Sequence, residues 1–276
     1  MELRHTHDLA TLLKCMKMAR SSFYYYVGQS STDKYSEIKS RIQNIYHRHK
    51  GRLGYRRITL LLRQEGQIIN HKTVLRLMRS LRLKSVIRIK KYRSYKGEHG
   101  KIAPNILNRT FKALQPNEKW ATDVTEFNVS GKKLYLSPVI DLYNQEIVSY
   151  ELSHRPNFEM VMTMLGKAFK KAGKTKSLLL HSDQGWQYQM KQYQHFLKQK
   201  GITQSMSRKG NCLDNAVVEN FFGTIKAELF NLKRHKSITH LKKDISEYIH
   251  YYNHDRIKLN LNGMSPIQYR AHHFKN

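Results

Sequence analysis

The sequence predicts an α/β protein: a mixed sheet with flanking helices, preceded by an all-α helix-turn-helix region. Three observations carry that expectation. Apolar residues recur at helical spacing through the first eighty residues, the pattern changes to β-rich segments beyond Trp120, and strands then alternate with helices. A chain of 276 residues suits two domains and a linker. The expected boundaries are 1–83 for the helix-turn-helix region, 84–117 for a basic linker, 118–232 for the sheet-bearing core and 233–276 for a helical tail.

In the first region Ile38, Ile42, Ile45 and His49 follow helical spacing, as do Ile58, Leu61 and Leu62 after GYRRI. The stretch EGQII breaks the pattern. Asn70 then reads as an N-cap, and Val74, Leu77, Met78 and Leu81 form an i, i+3, i+4, i+7 stripe with Lys72, Arg76 and Arg79 opposite. Helix, short turn and a helix with a basic outer face is what groove recognition requires. An ordinary small bundle with a solvated basic face fits the same pattern. A second helix-turn-helix candidate is DLATLLKCMKMARSSFYYYV, residues 8–27. From Lys84 to Pro116 the periodicity dissolves into basic residues interleaved with Tyr92 and Tyr95 and then Gly97, Gly100 and Pro104, a linker that can also track a phosphate backbone.

KWATDVTEFNV, KLYLSPVIDLYN and EIVSYEL read as three strands of an antiparallel meander, with turns at Ser130-Gly131 and Asn144-Gln145. FEMVMTMLGKAFKKAG is a helix ending at Gly173, and SLLLHSD is a buried strand. QMKQYQHFLKQKG reads as a helix, ITQSMS as a strand and DNAVVENFFGTIKAELF as one long helix. In the tail a helix runs from Ser237 through Tyr252, and SPIQYR starts a last short one.

Fifty Lys and Arg against twenty Asp and Glu give a net charge of +30. A charge that size repels itself unless a polyanion is the partner, and nucleic acid is the leading candidate, although a lysine-rich solvated surface or a packing protein has a similar composition. Residues 1–117 hold 26 basic and 6 acidic residues, and 118–276 hold 24 and 14, so the acids concentrate in the second part. Cys15 and Cys212 are too few and too far apart in sequence for a disulfide framework, which fits a reducing cytoplasm. No Cys-x-x-Cys occurs, so no structural zinc is expected. No apolar run reaches the length of a membrane span, and the start lacks a signal peptide's apolar region.

Among the acids, Asp183 ends a buried strand, where an α/β sheet tends to assemble its site. Asp123 falls within the first strand, with Ala121 and Thr125 as its alternation partners. Glu219 falls on the long helix, where Asn215, Glu219, Gly223 and Lys226 share one side and Val217, Val218, Phe221, Phe222 and Ile225 the other. If the three acids converge, only a cation lets them coexist, and hard divalent ions suit such a pocket: paired Mg²⁺ ions activate the attacking oxygen and stabilise the leaving oxygen of a phosphoryl displacement. Lys226, two turns beyond Glu219, would then sit beside the metal site over the incoming backbone. Taken singly, each acid has an ordinary explanation: Asp123 a solvated strand-end charge, Asp183 a turn former, Glu219 a helix-surface charge. Asp214 reads as the N-cap of the helix bearing Glu219, and Asp141 is the reserve candidate for the site.

WATDVTEF, LHSDQGWQY and NCLDNAVVENFFGTIKAEL resemble the three catalytic segments of bacterial insertion-sequence transposases with a retroviral-integrase-type DDE core. The 35 residues between Asp183 and Glu219 match the interval shared by that family. LGYRRITLLLRQEG and VLRLMRSLRLK resemble its helix-turn-helix, and YIHYYNHDRIKLNLNGMSPIQYR its downstream segment, so the likeness covers nearly the whole chain. The resemblance implies a ribonuclease-H-like core in which Asp123, Asp183 and Glu219 are the catalytic metal ligands for Mg²⁺, with Mn²⁺ able to substitute. It implies that Lys226 contacts the DNA end and puts Arg56, Arg57, Lys72, Arg76, Arg79 and Asn215 on the DNA-binding side. It further implies cleavage at element ends and strand transfer by transesterification on double-stranded DNA, by a homo-oligomer. Two departures stand out. The paired His and Cys of the integrase zinc module are missing, and so is the long leucine-zipper region of fused members. The chain therefore reads as the downstream-frame protein of a two-frame element, with an upstream-frame protein or fusion as a partner.

Overall fold

The computed structural model describes residues 6–29, 33–87, 102–173, 175 and 177–274, and the chain forms two compact units, Met1–Lys84 and Ser85–Asn276. Tyr92 and Tyr95 of the basic linker lie outside the described residues.

In the first unit, segment 8–27 forms two helices, α1 (Leu9–Cys15) and α2 (Arg20–Gln29), with Asp8 capping α1 by accepting the Ala10 N–H at 2.9 Å. Helices α3 (Ser36–Arg48), α4 (Tyr55–Gln64) and α5 (His71–Ser80) share a core that fully buries Ile42, Leu53, Ile58, Leu62 and Val74. Each such side chain stabilises the unit by about 1.5–3 kcal/mol. The α5 stripe is buried at Val74, Leu77 and Met78, with Leu81 packed at its margin. Asn70 caps α5 by accepting the Lys72 N–H at 2.8 Å, and Arg63 satisfies the Ile69 carbonyl in the preceding turn. This packing leaves Lys72, Arg76 and Arg79 exposed on the opposite face.

The second unit holds a six-stranded sheet: β1 (Lys119–Thr122), β2 (Thr125–Val129), β3 (Lys132–Asp141), β4 (Ile147–Ser153), β5 (Leu179–Ser182) and β6 (Thr203–Met206). The order is β2-β3-β1-β5-β6, with β4 on the other side of β3; β1, β5 and β6 run parallel and the remaining pairs are antiparallel. The segment expected as one strand, KWATDVTEFNV, is interrupted. Thr122 pairs with Val139 and Thr125 with Leu136, so a single register runs through the gap, but Asp123 and Val124 belong to neither strand. The position opposite Asp123 is Pro138, which has no N–H to give to a ladder. Asp123 therefore caps β1 rather than lying within a strand.

Alternation along the strands feeds two cores. Ala121, Phe127, Leu136, Ile140 and Ile147 pack with α9 (Ala216–Ile225) and α10 (Ile238–His254). Trp120, Val139, Val148 and Leu180 pack with α6 (Phe158–Ala172) and α8 (Lys191–Gln199); the short α7 (Trp186–Gln189) precedes α8. The long helix read over 214–230 is three pieces: a 3₁₀ turn at Cys212–Asn215, α9, and a π-helical turn at Lys226–Phe230. The tail is a layer of the sheet-bearing unit, since Leu241, Ile245, Tyr248, Ile249 and Tyr252 of α10 share one core with α9. Ser237 caps α10 through the His240 N–H, and Ser265 with Gln268 forms a capping box on α11 (Pro266–His273).

Half of the segment read as a linker is docked. Leu107 and Ala113 are buried, the N–H groups of Ile106 and Leu107 both donate to Ser205 Oγ at 3.0 Å, and Arg109 Nε lies 2.9 Å from Asp214 Oδ1. Its few apolar residues follow neither helical nor strand periodicity, so the sequence pattern hid them. Among the described residues no helix is long and apolar enough to cross a membrane.

Candidate active site

Asp123 and Asp183 stand side by side at the ends of neighbouring parallel strands, because β1 ends at Thr122 and β5 at Ser182. Each carboxylate is steadied by a local backbone donor: Val124 N–H reaches Asp123 Oδ1 at 2.6 Å, and Gly185 N–H reaches Asp183 Oδ1 at 2.9 Å. The glycine two residues after Asp183 is favoured by space, not by backbone angle. A Cβ at Gly185, whose φ is −57°, would lie 3.0 Å from Asp183 Oδ1 and 3.2 Å from the Tyr188 ring. Gln184 ties the loop to Ser207 C=O at 2.9 Å, and Gln187 to Pro156 C=O at 2.8 Å. Trp186 is exposed while Tyr188 is buried.

Glu219 enters from α9, in the helix's first turn. The start of that helix is stitched to β1, because Asn215 Nδ2 donates to the Thr122 carbonyl at 3.3 Å, next to Asp123. Val218, Phe221, Phe222 and Ile225 bury the other side of α9 against the sheet, which leaves Glu219 half-buried on the site side. The electrostatics join the three acids. Burial pushes the Asp123 carboxyl well above its ordinary range, Asp183 and Glu219 push it further, and Val124 N–H and Lys226 oppose them. Burial likewise raises Asp183. Lys226 opens the π-helical turn with Nζ 5.6 Å from the Phe127 ring centre; burial lowers its proton affinity, while Glu126 and Asp123 raise it.

Three half-buried carboxylates that offer only oxygen donors, two of them disfavouring the charge of the third, fit a hard divalent cation that would compensate them. Beneath Asp183 the wall is set by His181, which is buried and pushed down to about 4 by that burial. Ser205 Oγ already accepts two N–H groups from the docked strap, so its O–H is left to face His181 Nδ1 at 2.9 Å.

Several expectations need correction. Asp214 is not an N-cap; it is buried below the 3₁₀ turn, where Arg208, Arg109 and Asn105 all bond to it and hold its carboxyl far below the ordinary range. Helix α9 starts from Asn215 without a side-chain cap. Asn215 itself, placed by the sequence on the DNA side, is 3% exposed and serves the Thr122 carbonyl. Asp141 pairs with Trp120 at the other end of β1 from Asp123. There it accepts Asn117 N–H and Tyr143 N–H, with burial pushing it up to about 6. Arg76 and Arg56 are exposed over the rings of Tyr35 and Tyr55, at 5.5 and 5.6 Å, and Arg57 is half-buried.

Glu228 anchors the π-helical turn. It accepts Arg256 Nη2 at 2.6 Å, Arg256 Nε at 2.9 Å and the Tyr248 hydroxyl at 2.9 Å, all buried. Arg256 lies in the segment already likened to the family's downstream motif, which was the one available signal.

A mixed sheet with helices on both faces and acids gathered at its strand ends defines an integrase-core enzyme, of the polynucleotidyl transferase class. The Integrase core domain family matches residues 113–212 and again 219–274, and the HTH-like domain family matches 34–91. The chain is 58% identical over 270 residues to InsK of Escherichia coli, named for insertion sequence element IS150, covering 98% of this chain and 95% of that protein. It is 35% identical to the transposase for insertion sequence element IS904 of Lactococcus lactis, over 85% of this chain and 94% of that one. In fold it is similar to a chain of the simian T-cell lymphotropic virus intasome in complex with PP2A regulatory subunit B56 gamma, with a TM-score of 0.50, 16% identity, and coverage of 83% of this chain and 74% of that one. The protein belongs to the family of insertion-sequence transposases with an integrase-type core.

Proposed function

We propose that Asp123, Asp183 and Glu219 are the catalytic centre of a DNA transposase that cleaves at the ends of its element and joins them to new DNA. The observation that carries this reading is that Asp183, from a neighbouring strand end, and Glu219, from a helix, both raise the proton affinity of buried Asp123. Those residues would hold Mg²⁺, with Mn²⁺ able to substitute. Bound there, the ion supplies activation of the attacking oxygen and stabilisation of the leaving one; zinc is assigned no part in this centre.

The chain's own residues align the reaction. Gly185 and Val124 N–H groups hold the two aspartates, Asn215 fixes the end of β1, and Lys226 meets the phosphate backbone of the DNA end. Water attacks the phosphodiester first and frees a 3′ hydroxyl; that hydroxyl then attacks a second phosphodiester, and no covalent protein intermediate forms. Double-stranded DNA is the partner. In this reading Lys72, Arg76, Arg79, Arg56 and Arg57 of the first unit grip the terminal repeats, the basic segment follows the backbone, and the second unit carries the chemistry. The protein works as a homo-oligomer on paired ends, together with an upstream-frame protein or fusion, in the cytoplasm.

The test is Asp183→Asn. Mg²⁺-dependent cleavage of element-end duplex should be lost while end binding persists. Unchanged cleavage would overturn the assignment.

A further inference from the structure

Away from the acidic site, two histidines and an aspartate converge where the chain enters α10. His240 and Asp244 stand four residues apart on α10 and so share one face. The chain ahead of Ser237 brings His235 onto the same spot. One donor atom from each lies within 4.8 Å of the others; His235 Nδ1 is 2.9 Å and His240 Nδ1 is 3.8 Å from the same oxygen, Asp244 Oδ2. The His235 and Asp244 side chains are 2% and 7% exposed and that of His240 is 47% exposed, so the cluster has a closed floor and one open side. Phe230 stacks on the His235 ring at 5.4 Å and 11°, which fixes the ring's direction.

We propose that His235, His240 and Asp244 form a binding site for one divalent transition-metal ion of the zinc class, separate from the acidic centre. Two imidazole nitrogens and one carboxylate oxygen favour zinc, cobalt or nickel, whereas an all-oxygen set favours magnesium. Donors about 2.0–2.1 Å from a tetrahedral ion lie roughly 3.4 Å from one another; the separations of 2.9 and 3.8 Å fall on either side of that value. Lys233 Nζ donates to Asp244 Oδ1 at 2.6 Å, so Oδ2 is left to the imidazoles and the carboxylate has the outer hydrogen bond that ligating carboxylates usually carry. The ion takes the place of the proton between His235 Nδ1 and Oδ2, since imidazole ligates as the neutral base. The fourth position opens to solvent beside His240, where a water completes the shell. No cysteine takes part, which is why a search for finger spacing passes over it.

The full chain, stripped with chelator, would be titrated with Zn²⁺ by calorimetry and with Co²⁺ by visible absorption. The expected result is one high-affinity equivalent with the absorption of four- or five-coordinate cobalt, weakened about tenfold or more by His240→Ala and retained in Asp183→Asn. His240 is half-exposed, so the variant keeps its fold, which circular dichroism checks. Absence of a stoichiometric site in the native chain, affinity unchanged by His240→Ala, or loss of the site in Asp183→Asn would each overturn the proposal.

Discussion

Gly185 has an ordinary backbone angle but crowded surroundings, so Gly185→Ala isolates the placement of one carboxylate from folding. The added methyl presses on Asp183 Oδ1 from 3.0 Å. A displacement of about 1 Å costs up to about a hundredfold in rate, and the smaller shift needed here a part of that, so Mg²⁺-dependent cleavage should fall while the melting temperature barely moves; equal loss of both would contradict the reading. Asp214 predicts a pH effect. Its carboxyl is depressed in the fold below the ordinary 3.8 by its bonds to Arg208 and Arg109. The stability it contributes is therefore complete above about pH 4 and lost as pH falls toward the lower folded value. Asp214→Asn should melt about 5 °C lower at neutral pH and lack that acid-side component, measured by calorimetry across pH. At this scale the sequence displayed the three acids as candidates, because Asp183 ends a buried strand and Asp123 and Glu219 fall on a recognisable strand segment and helix. It hid the roles of Asp214 and Asn215, because Thr122, which Asn215 serves, and Asn105 and Arg109, two of the three residues bonded to Asp214, lie about a hundred residues away.

The π-helical turn that presents Lys226 depends on Glu228, and Glu228 is buried against Arg256 from beyond the end of α10. Arg256→Met leaves that carboxylate without its guanidinium, at a cost of about 3–5 kcal/mol. Adding Glu228→Gln should recover part of the loss in denaturant unfolding, and a double variant no better than the single would sink the pairing argument. Element types were legible from periodicity, and so were most boundaries. The breaks were not. The gap at Asp123 is written in Pro138, a residue from the facing strand, and the π-helical turn at Lys226 has no local signature, its buried Glu228 being bonded to a residue 28 positions downstream.

Each of the two units has its own core, so their contributions can be separated. Replacing Lys72, Arg76 and Arg79 together with alanine should weaken end binding and reduce the slope of log K against log salt by about 3, with cleavage of saturating DNA retained. An unchanged slope would remove that face from the interface. The hydrophobic period changes near Trp120, whereas the units divide between Lys84 and Ser85; the docking of 102–117 and the inclusion of the tail in the core were not legible, since both rest on contacts distant in sequence. The clasp of Arg256 on Glu228 also sets an order of events during synthesis. A ribosome must run past residue 256 before the turn that opens with Lys226 gains its buried guanidinium partner, so a nascent chain holds that turn unclasped.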